Sequence, residues 1–168
     1  EWSALEKLKP YALVPGAKWK TKLWPSESWA EIARRLIEAG ARPVLIGGEN
    51  DRPLADAIVA RGPAGLLAAV GRTDLRRLGA VLSRCRACVT TDSGPMHIAG
   101  AVGVPVVALF GPTVRAFGFT PRGPRDVVLE RDLPCRPCTL HGGEACPIGT
   151  HACMKEITPD TVLRAVGR

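Results

Sequence analysis

Short apolar segments alternate along the chain with longer segments in which apolar residues recur every three or four positions. The short segments are rich in Val, Leu and Ala and end near Gly, Pro or Asp, which is typical of buried strands. Six strands are predicted on this basis, at Tyr11–Val14, Arg42–Ile46, Leu66–Val70, Ala87–Thr91, Pro105–Phe110 and Asp126–Glu130. Helices are predicted at Glu27–Ala39, at Arg52–Ala60, from Thr73 or Asp74 to about Ser83, at Met96–Val102, and from Pro159 onward.

Strands and helices that alternate at this spacing predict βαβ units with right-handed crossovers and a mostly parallel sheet covered on both faces. The predicted fold class is therefore α/β, a Rossmann-like, doubly wound parallel sheet of about six strands. Residues 1–10 lack a strong apolar stripe and are interpreted as a linker or interdomain helix, which leaves residues 11–168 for the domain. Ligands of such sheets bind at the carboxyl ends of the strands. The loops that follow the strands are therefore the candidates for function.

One strand-to-helix turn carries much of the candidate chemistry. After the strand Ala87–Thr91, the residues Asp92, Ser93, Gly94 and Pro95 break the strand and begin a helix, with His97 in its first turn. The free backbone N–H groups and the dipole of a helix N-terminus favour an anion such as phosphate. The Asp92 carboxylate can accept hydrogen bonds from hydroxyls. The turn thus predicts a site for a phosphorylated, hydroxyl-rich ligand, and the structural alternative is an ordinary capped turn.

Two other loops are expected at the same edge of the sheet. The loop at residues 15–25 contains three lysines and no acid, and Lys18 and Lys22 can neutralise a diphosphate as point charges. As a residue of a polar loop, Lys22 is expected to contribute little to stability. Glu49 follows the second strand, where doubly wound folds place an acceptor for ribose hydroxyls, and the alternative is a solvated acid. The convergence of these loops favours a real binding site.

Composition and charge limit the class of protein without choosing its partner. The chain has 168 residues, of which 46% are hydrophobic and 23% charged, as in a single globular domain, and its net charge is +7. That charge suits anionic ligands, anionic lipid surfaces or nucleic acid. The sequence has no Gly-x-Gly-x-x-Gly after its first strand and no P-loop, which argues against a dinucleotide or a P-loop nucleotide site. Since the chain begins at Glu1 without a signal-peptide pattern, we expect a fragment or a processed protein.

A cysteine-rich segment occupies residues 134–154. Its four thiols are Cys135, Cys138, Cys146 and Cys153. Four thiolates can hold zinc tetrahedrally, and the first pair has zinc-knuckle spacing, so structural zinc is one interpretation. Free or artefactually oxidised thiols are the other interpretation. In either state, we expect the segment to be a loop near the sheet edge, not a catalytic site. Cys85 and Cys88 join a helix end to a strand and are interpreted as small buried hydrophobic residues.

Several blocks of the sequence resemble one enzyme family. They are Pro15-Gly16-Ala17 with Lys22-Leu23-Trp24-Pro25, Ile46-Gly47-Gly48-Glu49, Thr91-Asp92-Ser93-Gly94-Pro95-Met96-His97-Ile98-Ala99 and Leu109-Phe110-Gly111-Pro112-Thr113. These blocks are similar to the C-terminal half of the heptosyltransferases of lipopolysaccharide core synthesis, glycosyltransferase family 9. The tail, with Cys153-Met154 and Ile157-Thr158-Pro159, is similar as well. The resemblance covers nearly the whole chain from Tyr11, and its Asp-Ser-Gly-Pro-Met-His block is the most specific part.

The resemblance implies a GT-B architecture, in which the C-terminal domain holds an ADP-activated sugar and the N-terminal domain holds the acceptor. It implies an inverting transfer of heptose from ADP-heptose to the lipopolysaccharide inner core, without a catalytic cofactor. It also implies a cytoplasmic enzyme with an optional peripheral contact to the anionic inner membrane. The implied donor-binding residues are Lys18, Lys22, Glu49, Thr73, Asp92, Ser93, Gly94 and His97. Among them, Thr73 is expected beside adenine. The general base is implied on the N-terminal domain, so no residue of this chain is assigned as catalytic, and the chain alone is expected to be inactive.

Two other functions fit part of the pattern. Another GT-B sugar-nucleotide enzyme, such as an epimerase, would share the basic loop and the Asp92 turn, but the tail cysteines favour the transferase. A basic, zinc-containing nucleic-acid-binding module would fit the charge and the first cysteine pair. Against it, only 5% of the residues are aromatic and no recognition helix is present, so no nucleic-acid partner is expected.

Overall fold

A computed structural model of the protein describes residues 9–167. Within that range the strands are β1 Tyr11–Val14, β2 Pro43–Leu45, β3 Leu67–Ala68, β4 Ala87–Thr91, β5 Val106–Phe110 and β6 Val127–Glu130. The helices are α1 Ser26–Glu38, α2 Arg52–Arg61, α3 Leu75–Leu82, α4 Gly94–Ala101, α5 Ala152–Lys155 and α6 Pro159–Val166. Short 3-10 turns lie at Lys20–Lys22, Glu49–Asp51 and Arg115–Phe117. The linker or interdomain helix predicted at residues 1–10 lies, except for its last two residues, outside the described residues.

The six strands form one parallel sheet in the order β3-β2-β1-β4-β5-β6. The chain builds outward from β1 to β3 and then returns to the other side of β1, where β4 pairs with it. The carboxyl ends of β1 and β4 are therefore neighbours, and Val14 is in register with Thr90. In a doubly wound sheet, this change of direction opens a crevice for ligands. The predicted α/β fold class is confirmed.

The predicted strands are longer than the observed ones at one side of the sheet. Leu66–Val70 was expected to form a strand of five residues, but β3 comprises Leu67–Ala68 and both residues are exposed. Since β3 is an edge strand, only one of its sides has a hydrogen-bonding neighbour in the sheet. Leu66, directly before this pair, and Val70, two positions after it, are buried in the core. The apolar pattern therefore included two buried side chains but overstated the length of the strand.

Apolar side chains cover both faces of the sheet. Leu109 of β5 packs with α1, α2 and α6 on one face, whereas Phe110 packs with α3 and α4 on the other. This alternation is the period-two pattern expected of a strand that is buried on both sides. Cys85 and Cys88 belong to the face of α3 and α4, and burial raises the pKa of the Cys85 thiol to about 11. The interpretation of this pair as buried hydrophobic residues is confirmed.

None of the helices in residues 9–167 combines the length and the apolar character that crossing a membrane requires.

Two buried tryptophans anchor the first helix to the end of the chain. Trp24 precedes α1 and Trp29 lies in it, and their rings meet edge to face with centroids 5.2 Å apart. The indole Nε1 of Trp24 donates a hydrogen bond of 2.8 Å to the carbonyl of Ile157. The corresponding atom of Trp29 is buried and has no hydrogen-bond partner among the described residues. The two side chains thus have similar burial but opposite hydrogen-bonding status.

This difference allows a matched comparison of stability. Trp24→Phe removes ring volume and also leaves the carbonyl of Ile157 without its donor. Trp29→Phe removes the same volume together with an unsatisfied N–H. Because an unpaired buried polar group costs about 1–3 kcal/mol, we expect Trp24→Phe to lower the free energy of unfolding by that much more than Trp29→Phe. Urea denaturation of both variants measures the difference, and equal losses would contradict the role of the hydrogen bond.

Candidate functional site

A cleft of about 430 Å³ lies beyond the carboxyl ends of β1 and β4. The residues that line it are Lys18, Trp19, Lys22, Asp92, Ser93, Gly94, His97, Phe119 and His141. Six of the eight donor-site candidates are therefore brought together in one place, and the other two, Glu49 and Thr73, do not line the cleft. The cleft lies where the topology of the sheet changes direction, as expected for a ligand site in this fold.

Asp92 is fixed at the tip of β4 by two side chains from other loops. Its Oδ2 atom lies 2.6 Å from the Nζ of Lys22 and accepts a hydrogen bond of 2.7 Å from the hydroxyl of Thr113. The side chains of Asp92 and Lys22 are only 6% and 12% exposed, and Thr113 is fully buried. Because both partners use Oδ2, the carboxylate keeps its second oxygen for another donor. Asp92 and Lys22 thus form a nearly buried ion pair on the wall of the cleft.

The position of Lys22 differs from the sequence-based expectation. A lysine of a polar loop is normally solvated, and its removal changes stability by less than about 0.5 kcal/mol. Lys22 is instead held in the 3-10 turn Lys20–Lys22, beside the end of β4, and its ammonium compensates the charge of Asp92. The structure therefore contradicts the premise that Lys22 is solvated, and its nearly buried partner leads us to expect a larger contribution to stability.

The N-terminus of α4 opens into the same cleft. Ser93 occupies the N-cap position, but its hydroxyl donates to the carbonyl of Thr91 at 3.3 Å and does not cap the helix. In the part of the chain that the structure describes, no atom apart from the chain neighbours and the backbone of α4 lies within 4 Å of the place where a side chain on Gly94 would begin, so the space beside this residue is open. His97, one turn further on, lines the cleft as well. An uncapped helix N-terminus with open space in front of it suits an anion.

The cysteine-rich segment holds the lysine turn in place. Thr21, which lies between the two lysines of the turn, is buried and exchanges hydrogen bonds with Gly143 through its backbone N–H and its hydroxyl. The Nε2 atom of His151 lies 2.8 Å from the carbonyl of Thr21. Since a carbonyl only accepts, this ring nitrogen carries the proton. His141 of the same segment lines the cleft, so the segment forms part of the wall of the site.

Lys18 and three rings form the outer wall of the cleft. The ammonium of Lys18 lies 5.3 Å from the centre of the Trp19 ring, which is within the range of a cation–π contact. On the other side, the rings of Phe119 and His141 are 6.2 Å apart and tilted by 38°. Trp19, Phe119 and His141 were not among the predicted site residues. Phe119 and His141 lie in irregular segments without periodicity, so no sequence pattern marked them, whereas Trp19 lies beside a predicted lysine in a loop already assigned to the site.

Glu49 and the loop that contains Thr73 adjoin each other at the ends of β2 and β3. The carboxylate of Glu49 is exposed and forms two hydrogen bonds with the guanidinium of Arg52, at 2.5 and 2.6 Å, which lower the pKa of Glu49. Arg52 also donates to the carbonyl of Val70 at 3.2 Å. A side chain on Gly71 would begin 2.0 Å from Oε2 of Glu49, so the loop after β3 packs directly on this ion pair. Thr73 belongs to that loop.

Gly16 joins this edge to the cleft. Its carbonyl accepts a hydrogen bond of 2.7 Å from the hydroxyl of Thr91, at the end of β4. Its Cα packs against the carboxylate of Asp51, where a side chain would begin 2.2 Å from Oδ1. Asp51 also accepts a hydrogen bond of 2.8 Å from the N–H of Gly48. The loops after β1, β2 and β4 therefore meet at a point where only glycine fits, and Asp51 was missed because its partners are backbone groups.

The predicted zinc ligands are not assembled into a metal site. All four cysteines of the segment are free thiols, and residues 9–167 contain no group of three or more His, Cys, Asp or Glu that could hold a metal ion. Cys153 is buried in the core, and burial raises the pKa of its thiol. Cys146 accepts a hydrogen bond from the N–H of His151 at 3.3 Å, which lowers the pKa of its thiol. Structural zinc therefore stays a prediction of the sequence.

The ion pair in the cleft generates a prediction about stability. Lys22→Met leaves the charge of Asp92 nearly buried without its partner, and breaking such a pair is strongly destabilising. We expect the free energy of unfolding to fall by about 3 kcal/mol, and adding Asp92→Asn to Lys22→Met should restore most of the loss, because the uncompensated charge is removed. Urea denaturation of the two variants measures both effects.

Lys18→Met is the matched control, because the exposed ammonium of Lys18 contacts a ring and not a carboxylate. We expect it to change the free energy of unfolding by less than about 0.5 kcal/mol. Equal effects of Lys18→Met and Lys22→Met would show that the ion pair is not a determinant of stability.

Comparison with known proteins finds relatives that are named as lipopolysaccharide heptosyltransferases. The chain is 40% identical over 136 residues to lipopolysaccharide heptosyltransferase 1 of Pseudomonas aeruginosa, an alignment that covers 77% of this chain and 36% of that protein. It is 34% identical over 154 residues to lipopolysaccharide heptosyltransferase 2 of Escherichia coli strain K12, which covers 89% of this chain and 43% of that protein. The chain thus spans less than half the length of these relatives.

The fold gives the same result. The solved structure of the E. coli ADP-heptose lipopolysaccharide heptosyltransferase II matches with a TM-score of 0.81 at 29% sequence identity, over 96% of this chain and 46% of that one. This chain therefore corresponds to about half of the neighbour's chain. That share agrees with the resemblance, which implied one of the two domains of a GT-B architecture. The family model of glycosyltransferase family 9 (heptosyltransferase) matches residues 3–145. The chain belongs to glycosyltransferase family 9.

Proposed function

We propose that this chain is the donor-binding domain of an inverting glycosyltransferase that transfers heptose from ADP-heptose to the inner core of lipopolysaccharide. The observation that carries the proposal is the arrangement of Asp92 and Lys22 beside the uncapped N-terminus of α4, in one cleft. The family match favours this transferase over an epimerase or a nucleic-acid-binding module. The relatives named above are lipopolysaccharide heptosyltransferases, which supports the same substrate class.

The cleft offers a distinct partner for each part of such a donor. The diphosphate would accept hydrogen bonds from the N-terminus of α4 and from the remaining N–H groups of Lys22. The second carboxylate oxygen of Asp92 would accept hydrogen bonds from sugar hydroxyls. Glu49, held by Arg52 at the neighbouring strand end, would accept hydrogen bonds from the ribose hydroxyls. Thr73 would lie near the adenine. The proposed donor therefore extends along the carboxyl edge of the sheet, from β4 toward β3.

This arrangement also accounts for transfer without a catalytic metal. Cleavage of the bond to the sugar places negative charge on the departing diphosphate. Cationic and N–H groups that already point at this position stabilise the charge more in the transition state than in the ground state, which lowers the barrier. The acceptor and the general base are proposed to belong to the N-terminal domain of the family. The chain alone would then bind the donor without transferring the sugar.

We further propose that the protein acts in the cytoplasm, with peripheral contact to the anionic inner membrane. The net charge of +7 supports an attraction to anionic lipids.

Structural zinc at the four cysteines is the remaining prediction. Elemental analysis of protein purified without chelators tests it, because a structural site would retain zinc in stoichiometric amount, and a trace amount would contradict it.

Calorimetric titration of the chain with ADP, UDP and GDP tests the donor assignment. We expect ADP to bind with micromolar to millimolar affinity, which corresponds to about −4 to −8 kcal/mol, and to bind more tightly than the other two nucleotides. If no nucleoside diphosphate binds at millimolar concentration, the proposal is wrong.

Asp92→Asn separates a sugar contact from a scaffold role. Asparagine keeps an oxygen for Lys22 and Thr113 but loses the charge and an acceptor for hydroxyls. A hydrogen bond to a charged group contributes about 1.5–3 kcal/mol, so ADP-heptose should bind about 10- to 100-fold more weakly. ADP, which lacks the sugar, should bind with little change. An equal loss for both ligands would place the carboxylate in the scaffold.

A further inference from the structure

We propose that Arg136, in the cysteine-rich segment, is a positioning residue for the donor cleft. It holds the loop after β5 so that the hydroxyl of Thr113 fixes Asp92 beside Lys22. The inference concerns how the ion pair is positioned, and only its consequence for ligand affinity rests on the proposed donor function.

The guanidinium of Arg136 is buried against the loop at residues 111–113. Its side chain is only 5% exposed. Nε donates to the carbonyl of Gly111, and Nη2 donates to the carbonyl of Thr113 at 2.7 Å. The charge is compensated by Glu130, whose Oε2 lies 2.9 Å from Nη2. The buried cation thus directs two of its five hydrogen bonds at this short loop, and the other three go to the carbonyls of Arg131 and Phe110 and to Glu130.

The loop depends on this segment for its backbone hydrogen bonds. The carbonyls of Gly111 and Thr113 accept from Arg136, and the carbonyl of Pro112 accepts from the N–H of Cys138 at 3.0 Å. All three residues follow the end of β5, beyond the hydrogen bonds of the sheet. Buried carbonyls need partners, so residues 136–138 supply what the sheet no longer provides.

A chain of short contacts runs from Arg136 to the cleft. Arg136 holds the backbone of Thr113, the hydroxyl of Thr113 donates to Oδ2 of Asp92 at 2.7 Å, and the same oxygen binds Lys22 at 2.6 Å. Thr113 is fully buried, which leaves its hydroxyl little freedom. Among the described residues, Thr113 supplies the only hydroxyl that binds Oδ2 of Asp92 together with Lys22. A shift of the loop would therefore displace this hydroxyl.

Only arginine suits this position. Its planar guanidinium presents five N–H groups in a fixed fork, whereas the ammonium of lysine is a compact point charge on a flexible stem. Arg115 gives the matched control, because it also binds Glu130 and donates to a backbone carbonyl, that of Val128 at 2.6 Å. Arg115 is 57% exposed, and its hydrogen bonds do not involve the loop at residues 111–113.

The test compares Arg136→Lys, Thr113→Val, their combination, and Arg115→Lys in the full chain. The first measurement is the ¹⁵N NMR signal of the Lys22 ammonium without ligand, since burial in an ion pair slows its proton exchange with water. The second is the affinity for ADP-heptose by calorimetry. We expect Arg136→Lys and Thr113→Val each to broaden the Lys22 signal and to weaken binding about tenfold. Arg115→Lys should change neither.

The double variant distinguishes positioning from general support of the fold. If Arg136 acts through Thr113, the combined loss should be no larger than either single loss, because residues in one network are not additive. Additive losses, or an unchanged Lys22 signal in Arg136→Lys, would overturn the proposal. Should Arg136→Lys not fold, Glu130→Gln replaces it, with Arg115→Lys correcting for the other ion pair of Glu130. A Lys22 signal that Glu130→Gln leaves unchanged would likewise overturn it.

The measurements distinguish a failure of the donor assignment from a failure of the role proposed for Arg136. If the wild-type chain binds neither ADP nor ADP-heptose, the donor assignment is wrong, and the Lys22 signal still decides the role of Arg136. If the wild type binds ADP-heptose and Arg136→Lys binds it equally well with an intact Lys22 signal, the role of Arg136 is wrong and the donor assignment stands.

Discussion

The charge of Asp92 cannot remain nearly buried at the end of a strand without compensation, since transfer of an unpaired carboxylate out of water costs several kcal/mol. The structure meets this constraint by bringing two other segments to one oxygen atom, the lysine turn through Lys22 and the loop after β5 through Thr113. Three loops from different parts of the chain are thereby fixed relative to one another. The shape of the cleft is therefore a consequence of charge compensation as well as of the sheet.

The cysteine-rich segment supports both of these loops from outside the sheet. It has little regular secondary structure, with only the short helix α5 near its end. It nevertheless holds Thr21 through Gly143 and His151, and it holds the loop at residues 111–113 through Arg136. A segment that the sequence suggested for zinc thus serves in the structure as a wall of the cleft, through backbone carbonyls and buried side chains.

The sequence was sufficient to predict features that depend on residues close together along the chain. The strands, the turn at Asp92 and the lysine loop follow from local patterns, and the structure brings Lys22 and Asp92 together as the topology required. Thr113 and Arg136 were missed as site residues because their roles depend on partners that are 21 and 23 positions away. Thr113 lies in a block that resembles the family, but its own residue type gave it no role there, and nothing near Arg136 distinguishes it from a solvated arginine. The burial of Lys22 was missed for the same reason.

The order in which the chain folds follows from the same long-range contacts. Thr21 meets Gly143 and His151 across 122 and 130 residues, and Trp24 meets Ile157 across 133. Contacts between distant residues carry a large loop-closure entropy and form slowly unless the intervening chain is already structured. The sheet between them must therefore be largely in place before the lysine turn can be held. Binding competence is expected to arise last in folding, after β6 has paired and the final segment has reached the lysine turn and Trp24.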